Sequence, residues 1–172
     1  ARWPVQQHEL ASRMSYILGA GPPGDALQQA ANDGKLVGSG IESQIRRMLE
    51  DPRAVERSRE FFADWLQLDR LEHLRPDPER FPAWDRRLAA DMRLETLEFF
   101  EDVAWRQRRP LSDLFNAQLT FVTPRLARHY NLPVEISGAE DELQRVDLSQ
   151  VDGRGGLLTQ GSVLTVGGDD AS

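Results

Sequence analysis

Pro82-Ala-Trp-Asp-Arg-Arg-Leu-Ala-Ala-Asp-Met-Arg-Leu-Glu-Thr-Leu-Glu-Phe-Phe-Glu-Asp-Val-Ala-Trp-Arg106 is the stretch on which the fold class turns. After its opening proline it contains no Gly and no Pro, and strong helix formers fill it. Leu88, Met92, Leu94, Leu97, Phe99, Phe100 and Val103 are spread around most of a helical circumference, which predicts a helix packed on several sides. Asp91, Glu95, Glu98 and Asp102 recur at i, i+4, i+7 and i+11 and fall on one narrow edge, the expected wet side. The arginines from 106 to 109 suit the negative C-terminal pole of a helix, and Pro110 stops it. The spacing therefore predicts one long helix over about 82–106.

Outward toward the N-terminus, the same periodicity repeats in shorter pieces. Glu9 to Leu18 sets Leu10, Met14 and Leu18 on one face. Gly21-Pro-Pro-Gly24 breaks it. Pro23 then fits the first turn of a short helix running through Ala31, which Gly34 terminates. Ile41, Ile45, Met48 and Leu49 form the next stripe. Asp51-Pro52 is a restart, with Asp as cap and Pro at the first helical position. That helix is expected to turn Val55, Phe62, Trp65 and Leu66 inward and to end near Asp69. Between Leu71 and Pro82, Pro76, Pro78 and Pro82 call for an extended loop.

Outward toward the C-terminus, Ser112 reads as the cap of a single turn holding Leu114 and Phe115. Thr123-Pro124 starts a short helix to Tyr130, broken by Asn131 and Pro133. From Val134 the pattern becomes irregular. Residues 136–142 read as a loop, Gln144 to Leu148 as a short strand and Gly153 to Gly156 as a turn. Leu157 to Val166 fits a strand or a helical turn equally well, and the last residues are expected to fray. The expected architecture is mainly α: one compact multi-helix domain over 1–172, with a helical body at about 8–133 and a small irregular or β-hairpin C-terminal part at about 134–172.

The totals agree with a globular domain. The chain has 172 residues, 40% hydrophobic and 28% charged, which is an ordinary balance. No apolar run approaches the roughly 20 residues of a membrane helix, so no membrane insertion is expected. The net charge of −7 and the scattered arginines argue against nucleic acid as a partner. The absence of Cys excludes thiol catalysis, disulfides and covalent haem attachment within these residues. The opening Ala1-Arg-Trp-Pro4 lacks both Met and a basic-then-apolar leader, as expected of a processed or excised piece.

Three clusters carry possible chemistry. The acidic edge offers Glu95 and Glu98 as an acid/base pair or a cation row. The plainer reading makes these carboxylates a solvated edge or partners of nearby arginines. Glu95 stands out, because it borders Leu88 and Phe99, and a half-buried carboxylate needs an Arg, a hydrogen bond or a proton. In Arg125-Leu-Ala-Arg-His129-Tyr130, His129 titrates near neutral pH and Tyr130 offers a hydroxyl. Set against that, His129 or Arg128 suits the capping of a helix C-terminus, and Tyr130 suits the core. In Gly153-Arg-Gly-Gly-Leu-Leu-Thr-Gln-Gly-Ser162, glycine amides beside Arg154 suit an anion, and Thr159, Gln160 and Ser162 add polar groups. A tight turn feeding a buried segment explains the same residues. The glycine spacing is neither that of a dinucleotide fingerprint nor that of a P-loop. No metal site is expected: the three His share no helical spacing. The four Trp are first core or boundary residues.

The chain resembles the bacterial domain-of-unknown-function family 1592, running into the start of family 1588. The resemblance rests on Glu9-Leu-Ala-Ser-Arg-Met-Ser-Tyr-Ile-Leu18, Arg46-Arg-Met-Leu-Glu-Asp-Pro-Arg53, Phe61-Phe-Ala-Asp-Trp-Leu66, Glu95-Thr-Leu-Glu-Phe-Phe-Glu101, Thr120-Phe to His129-Tyr130, and Arg154-Gly-Gly-Leu-Leu-Thr-Gln-Gly-Ser-Val-Leu-Thr165. Gln118-Leu119 and Thr123-Pro124 depart from the usual family pattern. The resemblance implies a planctomycete-type, secreted or periplasmic parent protein in which a separate segment often carries haem c. It implies no known activity.

The leading expectation is therefore a non-catalytic, extracytoplasmic scaffold or docking domain of a larger, redox-linked, haem c-containing protein. No cofactor is expected within this piece. Its partners would be other domains of the parent protein, a redox protein or a polysaccharide. The rival expectation is a hydrolase or metal-assisted enzyme acting on polysaccharide through Glu95, Glu98, His129 and Tyr130, with Thr159, Gln160 and Ser162 in support. A third is carbohydrate binding through an exposed Trp.

Overall fold

A computed structural model describes residues 5–19, 21–134 and 136–168. Trp3 with the opening residues, Glu135 and the expected frayed end at 169–172 lie outside them. The chain divides into two compact units, Ala1–Phe61 and Phe62–Ser172. Both are built mainly from helices, as the periodicities predict.

The first unit holds α1 (Gln7–Gly19), α2 (Asp25–Asn32), α3 (Ser39–Leu49) and most of α4 (Pro52–Trp65). Its core joins Ala11, Met14, Leu27, Ala30, Ala31 and Leu36, flanked by Leu10, Ile41, Ile45 and Met48. Leu49, expected on the same stripe, is exposed. Pro23 lies outside α2, because Gly24 occupies the cap position. Gly34 does end that helix. Its φ is +67°, its N–H bonds to Ala31 O, and the Lys35 N–H bonds to Ala30 O, the paired pattern of a left-handed C-terminal cap. Asp51 caps α4 as its sequence demands, accepting the Arg53 N–H at 3.0 Å.

The second unit holds the end of α4, α5 (Arg70–His73), α6 (Arg86–Glu101), α7 (Pro124–His129) and α8 (Gly161–Gly167), with strands β1 (Leu119–Val122) and β2 (Gln144–Asp147). Short 3-10 turns lie at Leu111–Phe115 and Leu157–Thr159, and a π-turn at Asp102–Arg106 continues α6. The strands are antiparallel, with Leu119 opposite Asp147 and Val122 opposite Gln144. One apolar cluster gathers Phe62, Leu68, Leu97, Phe99, Phe100, Val103, Leu114, Leu119 and Phe121. A second gathers Leu71, Leu88, Met92, Val122, Leu126, Val146 and Leu148. α6 contributes to both.

Several expectations change here. α6 begins at Arg86, not Pro82, because the Asp85 carboxylate accepts the Leu88 N–H at 2.7 Å and captures the cap. Leu71 sits in the single turn of α5 instead of a loop. α4 ends at Trp65, which is 60% exposed rather than inward. The 3-10 turn after Pro110 has no side-chain cap from Ser112, and Phe115 points to solvent. β1 was not anticipated, and β2 pairs with it across α7 rather than in a local hairpin. Leu157 to Val166 forms a 3-10 turn and most of α8, with Gln160 extended between them. The acidic edge of α6 faces inward: Asp91, Glu95 and Asp102 are all buried.

Candidate functional site

The buried acids of α6 are reached by hydroxyls and arginines from the elements that follow. α7 starts where Thr123 accepts the Leu126 N–H at 3.1 Å. The same Thr123 hydroxyl donates to Asp91 at 2.7 Å. Arg125, in the first turn of α7, grips both oxygens of Asp91 at 2.7 and 3.2 Å. This fork geometry is strong and directional, and it bolts the start of α7 onto α6. Asp102 pairs with Gln107 and lies 3.8 Å from both Arg106 and Arg145. These acids follow the plainer reading, in which arginines take up the carboxylates.

Glu95 differs. It is 1% exposed, and among the described residues its hydrogen bonds come from hydroxyls and not from an arginine. Its Oε1 accepts from the Thr120 hydroxyl of β1 at 2.5 Å, and its Oε2 from the Tyr130 hydroxyl at 2.6 Å. Burial pushes its pKa up to about 7, against the opposing pull of Thr120, Tyr130 and the nearby Arg154 charge. Burial and the facing Glu95 also push the Tyr130 phenol up.

Tyr130 is the hinge between chain segments. It ends α7, and Asn131 follows at φ +50° in the left-handed position that Asn tolerates. Its hydroxyl donates to Glu95 and accepts the Gly161 N–H at the start of α8, at 2.8 Å. Arg154 lies over its ring, 3.8 Å from the centroid, a cation–π contact. Beside it, Thr96 of α6 bonds to Gln160 Oε1 at 2.8 Å and to the Ser162 hydroxyl at 2.5 Å. The turn before them is closed on itself. The Gly155 N–H donates to the Thr159 hydroxyl and the Gly156 N–H to Ala117 O, so two amides of the proposed anion cradle are already engaged.

Glu95, Tyr130, Arg154, Thr159 and Gln160 thus converge, together with Thr120, around a cavity of about 10 Å³. Ser162 joins them through Thr96. Glu98 does not: it pairs with Arg106. His129 lines a different space, an apolar groove of about 460 Å³ shared with Leu74, Phe81, Trp84, Met92 and Leu164. Burial and the Arg154 charge push its pKa down, so the imidazole is neutral at pH 7. Sequence reasoning missed Thr96 and Thr120. Isolated threonines carry no periodic signal, though each is buried against a residue that was singled out. Among the described residues no three His, Asp or Glu gather as metal ligands, and no helix is long and apolar enough to cross a membrane.

Chemically, the cluster can hold a proton near neutral pH and lock the 153–162 segment to α6 and α7. A general acid must reach the atom it protonates, and the space that Glu95 lines is about the size of a water molecule. No curated protein and no solved structure matches the chain. Residues 5–132, which include Glu95, Thr120 and Tyr130 but not the 153–162 segment, match the family model described as PSD4, Protein of unknown function (DUF1592), and the chain belongs to that family.

Proposed function

We propose that the chain is a non-catalytic scaffold or docking domain of a larger extracytoplasmic, redox-linked protein. The observation that carries the docking role is the groove of about 460 Å³ formed by the 74–84 segment, α6, His129 and α8. Its walls are mainly leucine, proline, aromatic and methionine side chains, with Arg80, His129 and Thr165 among them, the composition of a surface that receives an apolar segment of another protein region. The buried acids support the scaffold role, since Asp91, Glu95 and Asp102 are engaged in internal bonds rather than presented to solvent. The extracytoplasmic setting, and haem c in a separate segment, rest on the family resemblance alone. The occupant is another segment of the same parent protein.

Hydrogen exchange tests the reading. Amides of residues 74–84 and of α8 should exchange at least tenfold more slowly in the parent protein than in this chain alone. Equal exchange in both would remove the docking role. If the isolated chain also cleaved a polysaccharide, and Glu95→Gln abolished the cleavage, the hydrolase reading would replace it.

A further inference from the structure

We propose that the small cavity beside Glu95 is a binding site for one internal water molecule, which ties the amide of Gln160 to the carboxyl of Glu95. Size, chemistry and an unspent hydrogen-bonding group all lead there. The cavity measures about 10 Å³, which is one water and nothing larger. Its wall is mixed: Leu119, Leu132 and Leu148 supply apolar surface, and Glu95, Thr120, Tyr130, Arg154, Thr159 and Gln160 supply the polar groups. Apolar cavities of this size stay dry, whereas polar ones hold water when two or more partners are present.

Gln160 supplies the pointer. It is 3% exposed and its Nε2 has no hydrogen-bond partner among the described residues. A buried amide N–H left without a partner costs free energy comparable to a lost hydrogen bond, so native proteins rarely keep one. The other end of the same amide is held by Thr96, which keeps the side chain at the cavity wall. Across the space, each Glu95 oxygen accepts one hydrogen bond, and a carboxyl oxygen has a second lone pair to offer. Water accepts from Gln160 and donates to Glu95, and it serves equally well if the amide presents its oxygen. The water is the remaining strut between α6 and the segment leading into α8.

A crystal structure at about 1.5 Å resolution tests this without any substitution. One fully occupied water within hydrogen-bond distance of both the Gln160 amide and Glu95 is expected. In solution, water-oxygen magnetic relaxation dispersion should count one fewer long-lived internal water in Gln160→Met than in the parent chain. Thr159→Ser, which retains the hydroxyl, should keep the count unchanged. A cavity empty of density, with the Gln160 amide bonded to a protein group, would overturn the proposal, as would an unchanged water count in Gln160→Met. Both outcomes are independent of whether the groove docks a partner.

Discussion

At the scale of single residues, Glu95 has the widest consequences. Its folded pKa of about 7 stands above the ordinary 4.5, so the folded state holds the proton more tightly than the unfolded chain. The stability this contributes is fully present below about pH 4.5 and falls as pH rises toward 7. Above 7 it is gone. One pKa unit corresponds to about 1.36 kcal/mol, which makes the total loss on the order of 3 kcal/mol. Urea unfolding between pH 5 and pH 8 should therefore show stability falling. In Glu95→Gln the fall should vanish, leaving the opposite trend from His129, whose pKa burial pushes down. An unchanged fall in the variant would show that another group carries it. Glu95 was legible in the sequence as a carboxylate set between Leu88 and Phe99 on a helix. Its partners were not, since Thr120 and Tyr130 reach it from 25 and 35 positions away.

At the scale of elements, two of the three caps read from the sequence held, at Asp51 and Thr123, while Ser112 does not cap its turn. Asp51-Pro52 and Thr123-Pro124 both start helices, because the side-chain oxygen and the fixed proline φ act within a single turn. Where two starts competed, as Pro82 and Asp85 did, the residue with a side-chain acceptor prevailed. β1 escaped notice because all four of its residues are buried, so it lacks the alternation that marks a half-exposed strand. α8 depends on a glycine for a reason that no spacing rule states. A Cβ on Gly161 would stand 2.6 Å from the Tyr130 hydroxyl oxygen and 2.9 Å from Met92 Cε. Gly161→Ala should push α8 off Tyr130 and cost on the order of 2 kcal/mol, as overpacking does. Urea denaturation measures it, and the Gly161 amide signal in NMR should shift as its bond to Tyr130 lengthens. A stability within about 0.5 kcal/mol of the parent, the range of neutral surface changes, would contradict the close approach.

At the scale of the whole molecule, the two units each have an apolar core of their own. Both larger clusters of the second unit draw on residues from Phe62 onward, so that unit should fold without the first. A fragment starting at Asp51, which retains α4 and its cap, is expected to show helical circular dichroism and a cooperative urea transition. A fragment with neither would mean that the units are not separable. The mainly helical class, the cap-and-proline starts at Asp51 and Thr123 and the helix stops at Gly34 and Asn131 were determined by the sequence alone. They depend on contacts within a turn or on a period of 3.6 residues. Tertiary structure alone decided which side of α6 is wet, where β2 finds its partner and which acid keeps a proton. Asp91 and Glu95 occupy equivalent positions one turn apart, yet Arg125 reaches only the first and hydroxyls reach the second. Desolvation and pairing depend on what folds against a residue from far along the chain, and periodicity carries no record of that.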